Sequence, residues 1–236
     1  MQLLLLSNST APGRSYLEHA RDALAELLGD AHRIVFVPYA LADHDGYTAT
    51  VARAFEPLGV EVVGSHTGDA AALVAGADAV FVGGGNTFRL VAALHDLGLV
   101  AAIRGAVKGG ARYIGSSAGT NVATPSLRTT NDMPIVEPPS FDTLGLVPFQ
   151  INPHYLDPDP GSTHQGETRE ERLAQFLEEN LGPVLGMREG TWLRRDGDRL
   201  TLDGAHAGAR FFVRGQDPLE IPAPADLSHL LAPTAA

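Results

Sequence analysis

Short apolar runs alternate with amphipathic segments along the first half of the chain. The runs are rich in Val, Ile and Leu without polar alternation, which is typical of strands buried on both faces. They predict strands at residues 3–6, 33–37, 60–63, 79–82 and 113–115. Between them, the pattern predicts helices at residues 15–28, 48–55, 69–75, 86–97 and 100–107. This alternation indicates an α/β fold with a mostly parallel sheet and helices on both faces, and we expect catalytic groups beyond the carboxyl ends of the strands.

The second half of the chain has a different character. A proline-rich, irregular stretch runs to about residue 166, and a further helix is predicted at residues 167–180. Antiparallel strands are predicted at residues 184–187, 191–195, 199–202 and 210–213. We expect residues 216–236, which carry several prolines, to form a surface tail. With no linker or internal repeat, residues 1–236 are predicted to be a single domain.

Composition narrows the function classes. The 236 residues include no cysteine, which excludes thiolate chemistry and leaves Ser, Thr or a carboxylate for covalent catalysis. The net charge of −11 would repel a nucleic acid. No apolar run approaches membrane-spanning length, and the amino terminus lacks the basic leader of a secretory signal. We therefore expect a cytoplasmic enzyme without nucleic-acid or membrane partners.

The strongest local signal is the sequence Gly-Ser-Ser-Ala-Gly at residues 115–119. It ends a buried strand and opens a helix, as in a nucleophile elbow, where glycines permit a sharp turn that exposes the central serine. Ser117 is the candidate nucleophile. The main-chain N–H of Ala118, at the helix amino terminus, is a candidate oxyanion donor. The simpler alternative is a strand-to-helix turn without chemistry.

A second glycine cluster, residues 83–85, also follows a strand and opens a helix. It lacks the Gly-Lys-Ser/Thr ending of a phosphate-binding P-loop. We expect Gly85 N–H to be the second oxyanion donor, and Asn86 to bind substrate. The cluster could otherwise serve only to let the chain turn tightly.

A serine nucleophile needs a base and an orienting carboxylate. Of the nine histidines, His154 is the candidate base. It follows a predicted strand and Pro153, which fixes its own φ and favours an extended conformation for Asn152. His164 is its nearest competitor. Asp132 and Glu189 are the candidate carboxylates, and the residues alone place neither beside His154.

Six motifs in collinear order carry a resemblance to a known family. They cover residues 3–10, 82–88, 117–119, 128–136, 151–154 and 166–170. On these motifs the chain resembles the S51 serine peptidases, the peptidase E family. The resemblance implies a flavodoxin-like sheet, similar to that of class I glutamine amidotransferases, and hydrolysis of dipeptides that begin with aspartate.

The same resemblance assigns Ser117 as nucleophile and His154 as base. Asp132, which lies in the longer shared motif, is slightly favoured as the third member over Glu189, the amidotransferase-like choice. One departure is Ser116, where a bulky aromatic residue is expected, so the shape of the pocket wall stays open. Arg169 is predicted to bind the substrate aspartate side chain, and the next candidates are Arg172 and Arg89.

No cofactor or metal is expected. The partner would be a small Asp-Xaa peptide, and the protein a monomer or homodimer. Two alternatives differ from a dipeptidase: a cyanophycinase-like peptidase, disfavoured by the short chain and the full motif set, and a non-catalytic module that binds a small anion on an amidotransferase-like fold.

Overall fold

The computed structural model describes residues 1–163, 165–204 and 207–232. These ranges contain twelve strands: β1 (Gln2–Leu6), β2 (Arg33–Val37), β3 (Glu61–Gly64), β4 (Ala79–Val82), β5 (Arg112–Ser116), β6 (Gln150–Asn152), β7 (Val184–Met187), β8 (Thr191–Asp196), β9 (Arg199–Gly204), β10 (Ala209–Phe212), β11 (Leu219–Ile221) and β12 (Ala225–Asp226). They also contain seven α-helices: α1 (Arg21–Leu28), α2 (His44–Phe55), α3 (Ala70–Ala75), α4 (Thr87–Asp96), α5 (Leu99–Lys108), α6 (Ala118–Asn121) and α7 (Arg169–Glu179).

The main sheet has eight strands in the order β12-β9-β8-β1-β5-β4-β2-β3. The five strands from β1 to β3 in this order are parallel, and β8, β9 and β12 extend the sheet antiparallel from β1. A smaller sheet has the order β11-β10-β7-β6. The predicted α/β architecture with a mostly parallel sheet and antiparallel C-terminal strands is therefore confirmed.

Helices cover both faces of the main sheet. Leu3 and Leu5 of β1 belong to a fully buried core that includes residues of α3, α4 and α5. Leu4 and Leu6 belong to a second core, which α1 and α2 complete. Because alternate residues of a strand face opposite sides, the continuous leucine run of β1 is what a strand between two cores requires.

Three helices begin directly after a residue whose side chain caps the helix. The side chains of Asp43, Asn86 and Thr168 accept hydrogen bonds from the first turns of α2, α4 and α7. The prediction of a helix from residue 15 is wrong, because Leu17 has a left-handed φ of 59° and only a 3₁₀ turn follows before α1. A left-handed residue cannot lie inside a right-handed helix.

The C-terminal strands divide between the two sheets. Strands β8 and β9 form a hairpin on the edge of β1, whereas β7 and β10 join β6, which lies in the proline-rich stretch. Residues 216–232 lie near the surface but are not a free tail, since they contribute β11 and β12 and bury Leu227. The prolines there flank the strands, where they remove no ladder hydrogen bond.

In the described ranges, no single helix has the length and apolar character needed to cross a membrane. Helices α4 and α5 meet that test only when taken together, and they bend by 85° at their junction. Leu90 and Ile103 on these helices are fully buried in the core of the main sheet.

Candidate active site

Ser117 lies at the tip of a sharp turn between β5 and α6. Its φ of 54° and ψ of −110° lie outside the regions that non-glycine residues favour. The turn requires glycine on its far side, because a Cβ on Gly119 would lie 1.9 Å from the carbonyl oxygen of Val82. The tight approach of strand and helix holds Ser117 in its strained conformation, with its side chain partly exposed.

A hydrogen-bonded chain of three side chains starts at this serine. Ser117 Oγ lies 2.9 Å from His154 Nε2, and His154 Nδ1 lies 2.7 Å from Glu189 Oε1. The side chains of His154 and Glu189 are 38% and 52% exposed, so both can be reached from solvent. The order of nucleophile, imidazole and carboxylate is that of a serine hydrolase site.

The end of strand β1 holds the segments that carry His154 and Glu189. Ser7 Oγ accepts a hydrogen bond from His154 N–H at 2.9 Å and donates one to Met187 O at 2.9 Å. Asn8 Oδ1 accepts one from Gly190 N–H at 2.7 Å. Sequence reasoning missed both residues, although a polar pair directly after a buried strand of a parallel sheet is a signal for the functional edge.

Asp132 is not joined to His154. Its Oδ2 accepts hydrogen bonds from Thr87 N–H at 2.7 Å and Thr87 Oγ1 at 2.6 Å, and lies 3.2 Å from Thr130 Oγ1. The carboxylate therefore fixes the start of α4. The slight preference for Asp132 as orienter is not supported by this geometry, in which Glu189 is the carboxylate bonded to the imidazole.

A cavity of about 250 Å³ opens beside Ser117. It is lined by Thr87, Ser117, Ala118, Thr130, Asn131, Asp132, Pro153, His154 and Arg169. The side chain of Arg169 forms no hydrogen bond or ion pair with any described residue. Burial lowers the pKa of its guanidinium, the neighbouring Arg172 lowers it further, and Asp132 acts in the opposite direction. The cavity thus presents an unpaired, half-buried cation near the serine.

Two other predicted binding residues are engaged elsewhere. Arg172 pairs with Glu167 at 3.7 Å on the exposed surface of α7. Asn86 caps α4 by accepting from Arg89 N–H, and it donates to Met133 O at 2.9 Å.

The remaining predicted residues are not among those that line the cavity. Ser116, the departure from the family pattern, is fully buried and does not line the cavity. Its Oγ has no hydrogen-bond partner among the residues that the structure describes. Arg89 does not line it either. His164 lies outside the described residues.

The main-chain N–H groups close to Ser117 belong to Gly84, Gly85 and Ala118, and the first of these is already hydrogen-bonded. Gly84 packs so closely on the serine that an added Cβ would lie 3.0 Å from Ser117 Cβ, and its N–H donates to Tyr47 Oη at 2.8 Å. The N–H groups of Gly85 and Ala118 have no hydrogen-bond partner in the described part of the chain. Free N–H groups beside a nucleophile can stabilise an oxyanion.

Behind the site, Arg188 ties the His154 loop to the C-terminal segment. Its guanidinium donates to both carboxylate oxygens of Asp157 at 2.7 Å and to Glu220 Oε2 at 3.0 Å. The hydrogen bonds to Asp157, and then those to Glu220, raise the pKa of Arg188. The same contact with Arg188 is the main cause that lowers the pKa of Asp157. Strand β11, which carries Glu220, therefore braces the loop after His154.

The described residues contain no group of three or more His, Asp or Glu side chains arranged to hold a metal ion.

Comparison with known proteins defines the class of protein. The model of peptidase family S51 matches residues 3–202, and the chain belongs to this family. Its sequence is 65% identical to peptidase E of Streptomyces coelicolor over 98% of this chain and 95% of that protein. It is 52% identical to a Drosophila melanogaster protein named "Probable alpha-aspartyl dipeptidase", over 97% of each chain.

Solved structures share the fold. The crystal structure of a peptidase from an acI-B1 actinobacterium superposes with a TM-score of 0.66, covers 96% of each chain and is 16% identical in sequence. At that identity the likeness shows the fold alone. The curated relatives and the family match together make this protein an S51 peptidase.

Proposed function

We propose that the protein hydrolyses dipeptides with an amino-terminal aspartate through an acyl-enzyme on Ser117. The observation that carries the proposal is the hydrogen-bonded chain from Ser117 Oγ through His154 to Glu189, with contacts of 2.9 and 2.7 Å. The names of the Streptomyces and Drosophila relatives support the substrate class.

The chemistry proceeds in two halves. Ser117 Oγ attacks the peptide carbonyl carbon while His154 Nε2 takes its proton, and Glu189 stabilises the imidazolium. The N–H groups of Gly85 and Ala118 bind the oxyanion, and His154 then protonates the departing amine. In the second half, water attacks the acyl-enzyme, His154 takes its proton, and the released serine regains it as free aspartate leaves.

Arg169 is the proposed selector of the aspartate side chain. A carboxylate that enters a cavity of this kind loses water and needs a forked cation, and the Arg169 guanidinium there has no partner among the described residues. Peptides in which the carboxylate is replaced by an amide would leave the guanidinium without its counter-charge.

A covalent serine probe tests the mechanism. A fluorophosphonate should label the wild-type protein, and Ser117→Ala should abolish both labelling and cleavage of Asp-Leu. His154→Ala should also remove essentially all turnover, because members of such a group act as a unit. A non-catalytic anion-binding module would not be labelled, and labelling that survives Ser117→Ala would place the nucleophile elsewhere.

Arg169→Met tests the selector, and Arg172→Met on the same helix is its matched control. We expect Arg169→Met to lower kcat/KM for Asp-Leu by about 2–4 kcal/mol of transition-state binding and to narrow the gap to Asn-Leu. Arg172→Met should change little, because its partner Glu167 is exposed. If the ratio of kcat/KM for Asp-Leu to that for Asn-Leu is unchanged in Arg169→Met, another residue selects the aspartate side chain.

A further inference from the structure

Asp132 is a cavity carboxylate that the hydrolytic mechanism does not use. Its Oδ2 is occupied by Thr87 and Thr130. No hydrogen bond from any described residue reaches Oδ1. The threonine contacts fix the plane of the carboxylate beside Ser117 and leave one oxygen free to accept from a ligand.

The cavity carries two opposite charges that do not neutralise each other directly. Of the described residues that line it, Arg169 and Asp132 alone carry fixed charges. Each acts on the other electrostatically, but no ion pair joins them. An opposite pair held apart in one cavity is suited to a ligand that itself carries both charges.

An amino-terminal aspartyl residue is such a ligand. Its β-carboxylate and its α-ammonium group are attached to neighbouring carbons, and the ammonium carbon bears the carbonyl that Ser117 attacks. If Arg169 binds the carboxylate, the ammonium also loses water in the cavity and requires an acceptor with negative charge. Asp132 supplies a fixed one.

We propose that Asp132 binds the α-ammonium group of the substrate and so restricts cleavage to the first peptide bond. The inference rests on the proposed function. An internal aspartate has an amide N–H in place of the ammonium, with a further chain attached to it. It would leave the Asp132 charge uncompensated, and a site built for a charged hydrogen bond rejects a substrate that lacks it.

The test compares Asp-Leu with succinyl-Leu, which differs only by lacking the ammonium group. We expect wild-type kcat/KM to be about 10²-fold or more higher for Asp-Leu. In Asp132→Asn, kcat/KM for Asp-Leu should fall by about 30-fold or more, mainly through KM, while that for succinyl-Leu changes less than about threefold. Glu137→Gln, an exposed carboxylate on the same loop, is the matched control and should leave both values unchanged.

Labelling of Ser117 by a fluorophosphonate reports that each variant is folded. Because Asp132 also holds the start of α4, Asp132→Glu is measured as well: a displaced carboxylate should raise KM for Asp-Leu and not for succinyl-Leu. Equal losses on both substrates in either folded variant would make Asp132 a structural residue and overturn the inference. Similar wild-type rates on the two substrates would also overturn it. Failure of the wild type to cleave Asp-Leu would instead refute the proposed function.

Discussion

Ser7 Oγ accepts a hydrogen bond at 2.9 Å from the main-chain N–H of His154, although the two residues are 147 positions apart in the chain. His154 has a left-handed φ of 53°, which a non-glycine residue adopts only when its surroundings impose it. The same hydroxyl donates to Met187 O, directly before the segment that carries Glu189. One buried side chain therefore fixes the imidazole and its carboxylate relative to each other.

Ser7→Ala should damage turnover more than binding. The change leaves His154 N–H and Met187 O without their partner, which costs about 1–3 kcal/mol of unfolding free energy for each unsatisfied group. A small displacement of the base should lower kcat by about 10²-fold with little change in KM.

Ser65→Ala is the matched control for Ser7→Ala. Ser65 is also fully buried, but its hydroxyl has no hydrogen-bond partner in the described ranges, so its removal should be nearly neutral. Urea unfolding and Asp-Leu kinetics check both variants. A Ser7→Ala enzyme with wild-type kcat would show that the loop around His154 keeps its conformation without the Ser7 hydroxyl.

Glu189→Gln should lower kcat by about 10⁴-fold, because the amide can neither stabilise the imidazolium nor hold the same tautomer. Labelling by a fluorophosphonate should slow in parallel, since it needs the same activated serine. Glu137→Gln, which removes an exposed carboxylate elsewhere, should have no effect. A mild effect of Glu189→Gln would mean that another group orients His154.

Gly119→Ala should prevent the elbow from packing. The added Cβ would meet Val82 O at 1.9 Å, and main-chain atoms on both sides cannot move apart without breaking the strand-to-helix turn. We expect a loss of about 3 kcal/mol or more in unfolding free energy. Gly105→Ala, at an exposed position of α5 where nothing lies within 4 Å of an added Cβ, should instead stabilise the protein by about 0.5–1 kcal/mol. Similar melting temperatures for the two variants would contradict the close approach.

In Tyr155→Phe, the free energy of unfolding should fall less steeply with rising alkaline pH than it does in the wild type. Burial, and next the Glu170 carboxylate, raise the pKa of Tyr155 to about 12 in the folded protein, against about 10 in the unfolded chain. The folded state therefore retains a proton that the unfolded chain releases, and the free energy of unfolding falls as pH rises from about 10 to 12.

Without the Tyr155 hydroxyl, unfolding releases one proton fewer, so the free energy of unfolding falls less steeply with pH. The slope should shrink without vanishing, because burial also raises the pKa of Tyr113. Urea unfolding between pH 9 and 12, from about one pH unit below the expected window to its upper end, measures the slope. Identical slopes for wild type and Tyr155→Phe would show that this phenol does not titrate with unfolding.

The parallel sheet and the elbow were predictable because their signals are local. Continuous apolar strands and the Gly-Ser-Ser-Ala-Gly turn each depend on neighbours within a few residues. Which of Asp132 and Glu189 is hydrogen-bonded to His154 was not predictable, since it depends on where two long loops end in space. Strand β6 pairs with β7 and so brings His154 to the segment that carries Glu189.

The role of the C-terminal segment was hidden for a similar reason. Prolines between residues 216 and 224 suggest a surface tail, but they fall between strands. Main-chain pairing at a sheet edge leaves little trace in composition. Glu220 reaches Arg188 only because β11 pairs with β10.

The position of β1 between β5 and β8 bears on when activity can arise during protein synthesis. During synthesis, strand β1 must wait for β8, which ends at residue 196, before its second edge is paired. Ser7, directly after that strand, contacts both His154 N–H and Met187 O, so a chain that ends before β7 carries Ser117 without the contacts that hold His154 beside Glu189. If the proposed mechanism holds, the chain is inactive until most of it has been made, and shorter products do not cleave Asp-Leu.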